Sequence, residues 1–134
     1  MCLHNLDSTH PIHPPKFGYK WIVKFPDGVG FMPLYRLSPS WRIGRWERAW
    51  TQELGTGDNK GIYQAGFHCF YTVADAHRWI RFRERIPQLR LVKFEVQDVH
   101  THGNELVINY TPRTISSEVP VFVCGEAKPV EVVE

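Results

Sequence analysis

Residues 72–87 carry the clearest helix signature in this chain, and most of the apolar stretches on either side of it read as strands instead. Thr72 suits an N-cap, and Asp75, three positions on, is an acidic variant of the residue that closes a capping box. Ala76, Trp79, Ile80, Arg83 and Ile86 then fall near one face. His77, Arg78, Arg81 and Arg85 fall mostly on the other, and Pro87 stops the run. The spacing predicts a main helix over about 73–86. Around it, YKWIVKF (19–25), GFHCFY (66–71), LRLVKFEVQDV (89–99), ELVINY (105–110) and VPVFVCG (119–125) are rich in β-branched and aromatic residues or alternate outright, which predicts strands. PDGVG (26–30) is a turn that returns the chain through FMPLYRL (31–37) as a hairpin, with Pro33 marking an edge or a bulge. HTHGN (100–104) reads as a second turn. One helix among five to seven strands is an α+β fold with a largely antiparallel sheet, and 134 residues are enough for a single domain with its own core.

The remaining stretches divide the chain further. Residues 1–15 hold Pro11, Pro14 and Pro15 and read as an irregular arm, leaving 16–125 as the domain and 126–134 as an acidic, frayed tail. Ile43, Trp46 and Trp50 step by three and four, so a second, short helix is expected over about 45–52. GTGDNKG (55–61) is a loop without an apolar anchor.

Net charge is only +2, but it is unevenly spread. Residues 36–90 hold ten Lys and Arg against five Asp and Glu, whereas 91–134 hold three against seven. Nine of the ten central bases are Arg, which suits planar contact with phosphate or carboxylate. The plainer reading sets the basic middle against the acidic C-terminal part, within one chain or across a homo-oligomer. Three cysteines with no CxxC pair do not make a disulfide framework. No apolar run has the length to cross a bilayer, and no basic stretch followed by an apolar one opens the chain, so a cytoplasmic protein without a membrane partner is expected.

Three constellations could carry chemistry. His4, His10, His13, His100 and His102 lack the tight spacing and the Cys or carboxylate partners of a zinc site, so no metal is expected. Cys2, if exposed by removal of Met1, could act as an N-terminal nucleophile with its own amine as base. Tyr35, Arg36, Trp41, Arg42, Arg45, Trp46 and Arg48, continued by Trp50, interleave rings with guanidiniums, a composition that suits stacking on bases and equally a protein–protein hot spot. Against it stands the reading in which the tryptophans are core and the arginines a solvated rim. No phosphate loop, nucleophile elbow, HExxH or EF-hand pattern is present.

The opening Met-Cys-Leu, YKWIVKF, the PLY segment, Trp41 to Gly44 and GFHCFYTVADA together resemble a loose set of small phage and mobile-element proteins with a GFH-aromatic block before a helix. The likeness spans most of residues 1–125 and carries no activity with it. It implies a small binding protein that engages a host protein or sequesters an anionic nucleotide, as counter-defence inhibitors do, without a cofactor. Nucleic acid is a less favoured partner. The order of Arg36, His68 or Tyr71, and Glu105 or Glu118 also resembles small ADP-ribosyltransferase domains, which implies an enzyme using NAD, although no Glu-x-Glu pair is present.

Overall fold

A computed structural model describes residues 3–7, 13–24, 31–33, 40–80, 88–107 and 118–134. In chain order these form β1 (Asn5–Leu6), β2 (Phe17–Lys24), β3 (Phe31–Pro33), β4 (Glu47–Arg48), β5 (Glu53–Gly55), β6 (Ile62–Gln64), β7 (Phe67–Phe70), α1 (Val73–Trp79), β8 (Leu89–Leu106) and β9 (Glu118–Val132). The fold is a mostly antiparallel sheet with one helix among the described residues, as the sequence predicts. The strands are more numerous than expected, because β1, β4, β5 and β6 are too short to show a period. Among the described residues, no helix is long and apolar enough to cross a membrane.

The main sheet runs β1-β8-β2-β7-β9-β4, with β3 on β2, and β8 also pairs with β9. The ladder β8-β2-β7-β9 therefore returns to β8 and closes on itself. β2 follows β8 from Phe17 opposite Glu95 to Val23 opposite Leu89. Between β2 and β7 the registered pairing is Tyr19 opposite Phe70 alone. Beside that pair the Lys20 ammonium donates to the His68 carbonyl at 2.7 Å and takes the place of a ladder bond. β5 and β6 make a separate two-stranded ribbon.

β8 and β9 are longer than the sequence suggests. HTHGN is no turn: β8 runs through it, with Thr101 opposite Val123 and Asn104 opposite Pro120. Gly103 serves close approach instead, because a Cβ there would meet the Asn5 carbonyl and Leu3 of the arm. β8 bends at an irregularity between Val99 and Thr101, near Asp98, which has a left-handed φ of 56°. The expected frayed tail is also absent, since β9 continues to Val132 and Val133 donates to the Leu91 carbonyl at 2.8 Å.

Each face of the sheet carries its own core. On one, Trp21, Phe70, Leu91, Val119, Val121 and Val123 pack with Ala76 and Trp79 of α1, Leu3 of the arm and Tyr63 of β6. On the other, Ile22, Phe67, Cys69, Val92, Phe94, Phe122 and Cys124 pack around Trp41. α1 begins as the sequence predicts, with the Thr72 hydroxyl accepting from the Asp75 amide at 3.0 Å. It ends at Trp79, with Ile80 already extended; the rest of the expected helix lies outside the described residues. The Ala76 carbonyl near that end is satisfied by the Trp21 indole at 2.8 Å.

Candidate functional site

The segment expected to be a helix at 45–52 is extended. Gly44 turns the chain at φ 81°, and its amide donates to the Pro129 carbonyl at 2.8 Å. Arg48 then pairs with Glu126 and Glu47 with Ala127, which makes β4 the last strand of the sheet. Alternation in an extended chain sets Trp46, Arg48 and Trp50 on one side, and all three are exposed while Glu47 and Ala49 are half-buried. The stripe at steps of three and four is not a core stripe: Ile43 is 50% exposed, Trp46 36% and Trp50 66%. Trp41 is the opposite case. It is fully buried and packs edge-on against Phe67 and Phe94 at 4.7 and 4.8 Å between ring centres, so it anchors the segment and is no contact residue.

The arginines around the stripe are exposed and largely neutralised. Arg45 pairs with Glu47 at 3.2 Å. Arg48 forks onto one oxygen of Glu126 at 2.8 and 3.1 Å. The Lys128 ammonium lies 5.1 Å from the centre of the Trp46 ring. Arg42 is exposed, whereas Tyr35 and Arg36 lie outside the described residues. Beside β4 opens a cleft of about 530 Å³, lined by Arg48, Ala49, Thr51, Gln64, Ala65, Gln97, Asp98, Gly125 and Glu126. Nothing in the sequence marks Asp98, Gln97 or Glu126 for it, because the bend that brings them together is a property of the β8–β9 pairing.

Of the residues named for an NAD-using enzyme, Arg36 lies outside the described residues, and His68, Tyr71 and Glu118 stand apart from one another. His68 lies on the helix-covered face, where its Nε2 is 3.1 Å from the Tyr63 hydroxyl. The same Tyr63 hydroxyl accepts from the Leu3 amide at 2.9 Å, which ties the arm to this pair. Burial, with the Lys20 charge beside it, pushes His68 down to about 3. Tyr71 belongs to the other face, against Phe122 and hydrogen-bonded to Nδ1 of His102. Burial, reinforced by the Asp7 charge, pushes its hydroxyl up to about 12. Glu118 accepts from the Asn5 amide side chain at 2.7 Å, five residues along β9 from the partner of His68 and hence about 16 Å away. Glu105 is 2% exposed, neither carboxylate oxygen has a hydrogen-bond partner, and burial pushes it up to about 7.

Other candidates are placed as follows. Cys2 lies outside the described residues. Cys69 and Cys124 are free and buried; the hydrogen bond between them and burial push the Cys124 thiol up, which makes it a poor nucleophile. His100 and His102 do not chelate jointly, since His100 bonds Thr101 at 2.8 Å and His102 bonds Tyr71. Among the described residues no three His, Cys, Asp or Glu side chains gather as metal ligands. Comparison with protein-family models, curated proteins and solved structures finds no match in any of the three.

Proposed function

We propose that this chain is a binding protein that engages a protein partner through the stripe Trp46, Arg48 and Trp50 and its neighbours Ile43, Arg42 and Arg45. The observation that carries the reading is the exposure of Trp50, at 66%, with Trp46 and Ile43 also exposed, in the segment flanking the terminal strand of the sheet. Trp and Arg are the residues on which binding energy concentrates, and a terminal strand offers unpaired backbone groups to a partner. Neutralisation of Arg45 and Arg48 by neighbouring carboxylates favours a protein surface over a nucleotide, whose phosphates need uncompensated charge. The likeness to phage and mobile-element proteins makes the partner a host protein in the cytoplasm and the role one of inhibition, as in counter-defence. The separation of His68, Tyr71 and Glu118 gives the NAD-using reading no comparable support.

The test is capture of partners from bacterial lysate by the tagged wild type and by Trp46→Ser and Trp50→Ser. Binding of the captured, purified partner weakens by about tenfold or more for each change, as expected of hot-spot residues, while the melting temperature stays nearly constant. Partners retained equally by the variants would sink the proposal. Saturable quenching of tryptophan fluorescence by ATP, NAD or cyclic nucleotides would move the function to nucleotide sequestration.

A further inference from the structure

The cleft beside β4 has a chemistry of its own, distinct from the exposed tryptophans, with Arg48 belonging to both. Its walls come from three places: Arg48 and Ala49 with Thr51, Gln64 and Ala65 at the end of β6, and the bend of β8–β9. Its volume of about 530 Å³ is in the range that holds whole small ligands. Gly125 lies on the β9 side of the bend, and a Cβ there would collide with the Asp98 carboxylate. That carboxylate is therefore folded down over a bare stretch of backbone, held there by a left-handed residue at the bend.

Of the charged groups lining the cleft, Arg48 and Glu126 occupy each other at 2.8 Å. Among the described residues Asp98 makes no hydrogen bond or ion pair, although His100 and the Cys124 thiol feel its charge, so the described lining carries a net charge of −1. Gln64 and Gln97 add side-chain carbonyls that accept from N–H donors, and Thr51 adds a hydroxyl. An anion would meet Asp98 head-on. A planar cation with several N–H groups would meet a carboxylate that has no partner among the described residues, two amides able to turn their carbonyls toward it, and a floor of small residues.

We propose that this cleft binds a guanidinium-bearing ligand, with Asp98 as the carboxylate that receives it and Gln64 and Gln97 as flanking acceptors. The ligand is either a free guanidino compound or an arginine side chain presented by a protein; the chemistry at Asp98 is the same. The site stands whether or not the stripe binds a partner.

The test is a titration of the ¹⁵N-labelled protein with methylguanidinium, with N-acetyl-arginine amide, and with the neutral N-acetyl-citrulline amide. Saturable shifts are expected at the amides of Gln97, Asp98, Gly125 and Glu126 with both cations and none with the citrulline compound. Asp98→Asn removes the charge and keeps the left-handed backbone, which Asn tolerates, so the variant folds and its affinity for the cations falls about tenfold or more. Preference for the capped arginine over methylguanidinium places the source in a peptide, and the reverse preference in a free small molecule; each supports the site. Shifts that fail to saturate, that are equal for citrulline, or that persist unchanged in Asp98→Asn overturn it. Trp50→Ser is the control that separates the two readings, since it is expected to weaken partner binding about tenfold or more and to leave this titration as in the wild type.

Discussion

Glu105 is buried and His68 half-buried on the helix-covered face, and each binds protons differently folded and unfolded. Glu105 is raised from 4.5 to about 7, so the folded state holds one more proton than the unfolded chain in that window and stability falls as pH rises through it, by roughly 3 kcal/mol in all. His68 is lowered from 6.5 to about 3, so the unfolded chain holds the extra proton there and stability rises with pH between those values. Where the windows overlap, between 4.5 and 6.5, the two slopes cancel, and their joint contribution is level. Chemical denaturation of the wild type from pH 3 to 8 is expected to show that level stretch, with a loss below it and a smaller loss as pH approaches 7. Glu105→Gln removes one slope, so stability then climbs from pH 3 to about 6.5; an unchanged profile would mean that Glu105 is ionised in the folded protein.

The arm strand β1 reaches the sheet because β8 offers it a bare glycine. Gly103→Ala places a methyl group against the Asn5 carbonyl and Leu3 Cδ1, and a clash with backbone is not relieved by turning a side chain. The expected loss is about 1–3 kcal/mol in denaturant midpoint, with faster amide exchange at Asn5 and Leu6. The same glycine shows where sequence reading stops. Beside Asn104 it has the local chemistry of a turn, yet its use is set by Asn5, Asn5 and Gly103 being brought together only by the fold. The Thr72 cap was legible because donor and acceptor lie three residues apart. The spacing of Ile43, Trp46 and Trp50 matches a helix over so short a run, but the pairing of β4 with β9 overrides it, and only Trp46 and Trp50 keep the same side in the extended chain. Trp41, Trp46 and Trp50 look alike in sequence; Phe67 and Phe94, distant in the chain, bury the first and leave the other two outside. The mixture of rings and guanidiniums in this segment was thus readable in composition, while which rings stay exposed, and the cleft built on a bend at Asp98, were not.

Across the whole molecule the closed ladder ties β2, β7, β8 and β9 together, so no one of them leaves without disturbing two neighbours. The ties are unequal. β8 holds β2 along most of its length and β9 holds β7 from Phe67 to Phe70, but β2 meets β7 at Tyr19 and Phe70, with the Lys20 ammonium standing in beside them. The ring is therefore expected to part first at this seam, like a zip fastener. Opening there would break one registered backbone pair and one charged hydrogen bond and is expected to lay bare Gly18, Cys69 and Phe122, which crowd together just behind it. Cys69 is fully buried in the closed ring, so a thiol reagent reaches it only at the rhythm of the fastener. Lys20→Met should quicken labelling of Cys69 without a matching fall in global stability. Labelling that instead tracks global unfolding would mean the ring opens all at once.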